Sequence, residues 1–205
     1  MSTGLARDIL DLTLEHLFLV ALSVTIAAVL AIPAGILITR RVPLQRWVLG
    51  FANVMQTVPS LALFGFLIPI PFLGGIGKHT AIVALVLYAL LPILRNTLTG
   101  ILGVDAAVRE SAIAMGMTGQ QLLREVEFPL AARTIVAGLR IATVTTIGTA
   151  TIAAAIGAGG LGVFIFRGLA SVDTTLLLAG AIPAALIALG ADRGLEWVEH
   201  KLSPA

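Results

Sequence analysis

The sequence predicts an all-α integral membrane protein with about five transmembrane helices, N-terminus outside and C-terminus inside, and three observations carry that reading. The chain of 205 residues is 58% hydrophobic and only 12% charged, against roughly 25% charged residues in an average soluble domain. Its mean hydropathy is +1.04, so most of its surface is solvated by lipid. Apolar stretches close to the ~20 residues that cross a bilayer as helix recur at 17–39, 48–71, 80–98, 134–156 and 174–190. Lys and Arg fall unevenly between these spans. With the loop after the third span inside, Arg40, Arg41, Arg46, Arg95, Arg109, Arg124, Arg133, Arg140, Arg193 and Lys201 are cytoplasmic and only Arg7, Lys78 and Arg167 external, the orientation that the positive-inside rule selects.

Residues 1–16 are expected to form a short interfacial helix, with Leu5, Ile9 and Leu12 on one stripe and Asp8, Asp11 and Glu15 on the other. Those acids, and the length of the apolar run behind them, set the first span apart from a cleaved signal peptide. In the second span Asn53, Gln56, Thr57 and Ser60 fall at i, i+3, i+4 and i+7, one helical face. In the fourth, Thr143 and Thr146 share a face. Polar side chains aligned on apolar helices mark a candidate translocation pathway; the alternative is that they bond between helices or, for threonine, back to their own backbone. Arg95 interrupts the third span close enough to its end to snorkel to the surface. Pro59, Pro92 and Pro183 fall inside spans and predict kinks, and the short fifth span is limited by Asp173 and Asp192. Without an internal repeat or linker, the chain is expected to be one domain, 1–205.

The loop 105–133 is the one long segment polar enough to leave the membrane yet still patterned. Asp105 can cap a first short helix that runs through Met115, and Gly116 can end it in a left-handed conformation. Thr118 with Gln121 makes a capping box for a second helix, which Pro129 is expected to stop. Small Ser111, Ala112 and Ala114 let a partner approach, and Met115 and Met117 offer adaptable apolar surface. A rigid helix–turn–helix of this kind suits docking to another protein; a solvated loop resting on lipid headgroups is the alternative.

Several function classes are excluded or disfavoured. The chain has no Cys, and His16, His79 and His200 lie far apart, so neither a thiolate nor a His-based metal centre is expected. Net charge +2 and a pI near 9.7 do not point to nucleic acid, because the basic residues are scattered singly. Gly157-x-Gly159-x-x-Gly162 matches the dinucleotide fingerprint formally but follows a membrane span rather than a strand, and a tight turn at the outer surface is expected instead. With no P-loop sequence the chain is expected to bind neither ATP nor any cofactor, and no convergent catalytic groups mark an intramembrane enzyme.

Glu110-Ser111-Ala112, then Gly116, then Val126-x-Phe128-Pro129 resembles the EAA signature of type I ABC importer permeases, with mild departures at Ser111, Val126 and Phe128 and with the spacing kept. The runs 56–63, 88–97, 156–162 and 178–184 look like the osmoprotectant, ProW/OpuC-like branch, which imports glycine betaine, carnitine and choline. The resemblance covers nearly the whole chain from Leu17. It implies the type I ABC importer permease fold in the cytoplasmic membrane and alternating access. It also implies that the first loop helix couples to an ATPase through Glu110, Ser111, Ala112 and Gly116, with Ala114, Met115 and Met117 on the same surface. The implied partners are ABC ATPase subunits carrying ATP and Mg, a second identical or homologous permease, and an extracytoplasmic substrate-binding protein. A permease for another small solute, or an ATP-independent channel or carrier, is the alternative.

Overall fold

The computed structural model describes residues 3–71 and 74–202, and all regular structure among them is helical. Among the described residues four helices are long and apolar enough to cross a membrane, or five when one sharply bent pair is counted as a single span.

Helix α1, Thr3–Thr39, is continuous. No break therefore separates the expected interfacial helix from the first span, and no glycine or proline falls near Glu15 to make one. At ~1.5 Å per residue it is about 55 Å long, well beyond the ~30 Å hydrocarbon core. Asp8 and Asp11 remain exposed on its first turns; residues 1 and 2 and the side chain of Leu5 lie outside the described residues.

The second expected span, 48–71, is broken. Helix α2, Val42–Thr57, and helix α3, Ser60–Leu67, meet at an angle of 104°. Proline disfavours helical geometry in the residue before it, and Val58 and Pro59 are both extended, at ψ 129° and 133°. The break leaves the carbonyl of Val58 free to accept from the hydroxyl of Tyr88 on the next helix. Pro59 thus breaks its helix outright, while Pro92 and Pro183 are carried inside continuous helices.

Helix α4, Lys78–Leu102, is the central element: Ala84, Leu85, Ala89, Leu91, Ile93, Leu94 and Leu98 are all buried against its neighbours. It packs between α1 and helix α7, Phe128–Ile152, which a short 3₁₀ turn extends to Ile156. The main core joins Leu19, Phe64, Leu85 and Ile147, from α1, α3, α4 and α7. Small residues bring the helices together, as is usual where lipid supplies no hydrophobic drive to associate. A Cβ on Gly138 of α7 would stand 2.5 Å from the Cβ of Asn96 on α4.

Two further elements depart from expectation. Helix α8, Gly162–Ser171, lies in a stretch where the sequence predicts no element, and at about 15 Å it is too short to cross a bilayer. Helix α9, Thr174–Lys201, opens on an Asp173 cap and runs nine residues past Asp192, its expected limit. Its acids are taken up by α7: Arg140 holds Asp192 through two bonds of 2.5 and 2.9 Å. Glu199 lies 3.5 Å from Arg140 and 3.6 Å from Arg133. The turn before α8 is as tight as its glycines suggested, with Gly157, Gly159 and Gly160 at φ 75°, 85° and 74°. Glu15 of α1 accepts from the Gly160 N–H at 3.2 Å and from Lys78 Nζ at 2.9 Å, tying this end of the bundle together.

Candidate coupling surface and polar face

The segment after α4 forms the expected helix–turn–helix. Helix α5, Ala106–Ala114, begins at Asp105, whose Oδ1 accepts from the Ala107 N–H at 2.8 Å and satisfies one of the orphan donors of the first turn. Met115 closes it and Gly116 follows at φ +85°. The Gly116 N–H then donates to Ile113 O at 2.9 Å and Met117 N–H to Ala112 O at 3.2 Å, the paired bonds of a Schellman motif. The capping box at the next turn is complete: Thr118 Oγ1 accepts from the Gln121 N–H, and Gln121 Oε1 from the Thr118 N–H.

Helix α6, Gly119–Gln121, does not stop at Pro129. It passes through a π-helical turn, 122–127, into α7, with Pro129 in the first turn of that helix. The Phe128 N–H donates to Leu123 O, five residues back. This wider winding just ahead of the proline spares its ring the usual clash within a regular α-turn.

Of the residues expected to couple to a partner, Glu110, Ser111, Ala114, Met115 and Gly116 are exposed, and Met117 is half-buried. Ala112 is 2% exposed and faces inward. Met115, at 73% exposure, and Ile113, at 55%, stand out as large apolar groups on so short a helix. Beside them a cavity of about 340 Å³ is lined by Val108, Ser111, Ala112, Met115, Met117 and Val126.

One residue that went unremarked in the sequence holds this surface in place, together with two arginines read there only for orientation. Glu127, at the last position of the π-turn, is fully buried. It accepts from Arg109 Nε of α5 at 2.9 Å and from the guanidinium of Arg40, just past the end of α1. Arg109 also donates to the carbonyl of Ile101 at 3.0 Å, in the last turn of α4. The one sequence cue was a lone carboxylate inside the apolar run Val126–Leu130.

The polar residues of the second span are redistributed by the break. Asn53, Gln56 and Thr57 lie on the last turns of α2, with Gln56 and Thr57 exposed, whereas Ser60 opens α3 beyond the 104° bend and does not continue their face. Asn53 Oδ1 accepts from Arg95 at 2.5 Å, so that guanidinium is engaged across α2 and α4. Thr57 donates to Val54 O at 2.8 Å. The pair in α7 forms no open face: Thr143 donates back to Leu139 O at 2.7 Å, and Thr146 is buried at 1% exposure. Among the described residues no group of His and acidic side chains is arranged to hold a metal ion.

Helices long and apolar enough to cross a bilayer, joined to a braced and partly apolar surface segment, define a multi-pass membrane protein. The chain belongs to the family of binding-protein-dependent transport system inner membrane components, whose model matches residues 18–204. It is 49% identical over 191 residues to the carnitine transport permease protein OpuCD of Listeria monocytogenes serotype 1/2a (strain 10403S), covering 93% of this chain and 84% of that one. It is equally similar, at 49% over 191 residues, to the choline transport system permease protein OpuBD of Bacillus subtilis (strain 168), with 93% and 83% covered. Its fold matches an inward-facing structure of the MetNI methionine ABC transporter, with TM-score 0.83, 27% identity and 100% of both chains covered.

Proposed function

We propose that this chain is the permease through which an ATP-driven importer moves quaternary-ammonium osmoprotectants such as glycine betaine, carnitine or choline. Two permeases, identical or homologous, enclose a path at their shared interface, and an extracytoplasmic binding protein delivers the solute. ATPase subunits carrying ATP and Mg dock on α5. The observation that carries the ATPase docking is the exposed Ile113 and Met115 surface, on a helix fixed at both ends by its cap and Schellman turn. The substrate class follows from relatives whose names specify carnitine and choline.

In this mechanism nucleotide biases an equilibrium between outward and inward states, which requires ATP to favour one of them. Asn53, Gln56 and Thr57 supply the polar lining near the bend, with Arg95 beside Asn53. The α5 end of the bundle faces the cytoplasm, in keeping with Arg40, Arg109, Arg133 and Arg140 gathered there. The test is uptake into proteoliposomes containing the permease, ATPase and binding protein encoded together. ATP-dependent, saturable uptake of at least one of labelled glycine betaine, carnitine and choline is expected. Transport of another solute with none of the three would overturn the substrate, and uptake without ATP would overturn the mechanism.

A further inference from the structure

The backbone connections on either side of α5 are short, and each reaches only one neighbouring segment. Before it runs the short link Gly103–Asp105, and after it the chain reverses at Gly116, where φ is +85°. Each link fixes one end of α5 through its own local bonds and ties it to a single neighbouring segment of the chain. The connection that joins several helices at once is made by side chains. Glu127 has no exposed surface, and Arg40 and Arg109 approach it from opposite segments, with side-chain exposures of 49% and 26%.

We propose that Glu127 is the positioning residue of energy coupling: a buried carboxylate that converts displacement of α5 into concerted displacement of α1, α4 and α7. The proposal rests on α5 being the ATPase-docking helix. Arg109 is the moving arm, since it rides on α5 and reaches both Glu127 and the terminal carbonyl of α4. Arg40 is the fixed arm at the end of α1. Glu127 itself belongs to the π-turn that leads into α7. One carboxylate therefore gathers the ends of the three helices that form the centre of the bundle.

The chemistry favours a transmitting role over a merely adhesive one. A buried ion pair is weak evidence for stability, because desolvation offsets much of its attraction, yet removing one partner leaves an uncompensated buried charge. Such a group resists being pulled away from either arginine. Two charge-assisted bonds, each directional, also fix the angle of α5 as apolar contacts alone would not. The π-turn supplies the compliance: its i to i+5 bonds sit where α7 must yield if Glu127 is drawn toward α5.

The experiment uses the full complex of permease, ATPase and binding protein in proteoliposomes, comparing wild type with Glu127→Gln, Arg109→Gln, Arg109→Lys and Arg40→Gln. Each is scored for retained ATPase, for stimulated ATP hydrolysis and for solute taken up per ATP hydrolysed. Glu127→Gln and Arg109→Gln are expected to lower uptake per ATP on the order of tenfold, within the usual range of coupling between distant sites. Arg109→Lys should recover part of the ratio by restoring the charge. Arg40→Gln leaves the Arg109 bond in place and keeps the proposal open to refutation if Glu127→Gln does not assemble; it should lower the ratio less than Arg109→Gln. If uptake and hydrolysis fall in proportion, so that the ratio is unchanged in the assembled variants, the cluster only holds the fold and the proposal is wrong. A cysteine at Met115 that never cross-links to the ATPase in the wild-type background would instead overturn the docking on α5.

Discussion

Replacing Gly116 by valine tests the docking surface at the point where its geometry is most demanding. Gly116 stands at φ +85°, and a Cβ built there meets nothing within 4 Å. The substitution therefore adds no clash with a neighbour, and its whole cost is the strain of a β-branched residue in a left-handed conformation, on the order of 1–2 kcal/mol. That strain reduces the population of the native turn by a factor of roughly 5–30. The chain can escape by returning position 116 to negative φ, which extends α5 by a residue. The extension would rotate Met117 by about 100° around the helix axis, and it would break both the Met117–Ala112 bond and the register of the Thr118 cap. Asparagine tolerates the left-handed region and alanine lacks β-branching, so the damage is expected to rise from Gly116→Asn through Gly116→Ala to Gly116→Val. The assay is ATP hydrolysis by the complex in lipid nanodiscs, with and without liganded binding protein. Affinity of the binding protein for its solute should stay constant, because capture takes place on a separate protein. Equal stimulation in all three variants would show that the turn is a mere connector and that α5 transmits nothing through its orientation.

Glu110→Lys reverses an exposed charge on α5 and is expected to weaken stimulated hydrolysis while leaving the permease folded, as melting in detergent would verify. Asn53→Leu and Gln56→Leu are expected to reduce uptake severalfold with assembly intact; normal uptake in both would remove α2 from the pathway. A cysteine in place of Gly119, clean to label in a chain without Cys, should react with an impermeant maleimide only after the cells are opened, and labelling of intact cells would invert the proposed orientation. Gly138→Leu forces a side chain into Asn96, whose Cβ lies 2.5 Å from the Cβ position. Overpacking of this kind costs about 1–3 kcal/mol, so thermal stability in detergent should fall clearly, whereas Gly148→Ala, with nothing within 4 Å, should leave it unchanged.

What could be read from the sequence was local. The caps at Asp105 and Thr118 and the left-handed Gly116 were legible because each depends on residues within a few positions of one another. The apolar stretches were legible as spans for the same reason, their hydropathy being summed over neighbours. Boundaries failed where tertiary partners took over. α9 runs past Asp192 because Arg140, fifty-two positions earlier, neutralises it, and no window along the chain sees that pair. The second span is present but broken: Pro59 predicts a kink, and its restriction on Val58 gives a sharper bend of 104°, secured by the hydroxyl of Tyr88. Ser60, spaced for the face of Gln56, was thereby carried onto another helix.

Glu127 shows why the proposed coupling surface was half legible. Pattern reading weights the small and the adaptable apolar, and so it found Ser111 and Met115, whereas Glu110 came with the resemblance to the EAA signature. It passed over a carboxylate between Val126 and Phe128, since a single acid beside apolar neighbours is ambiguous until its counter-ions are placed. Those counter-ions come from Arg40 and Arg109, eighty-seven and eighteen positions away. A docking surface is encoded locally because a partner reads it from outside. Its brace must be encoded at long range, because bracing consists of joining segments that the chain itself keeps apart. The same division holds at the opposite end of the bundle, where the glycine turn at 157–160 is local and the carboxylate that ties it, Glu15, arrives from α1.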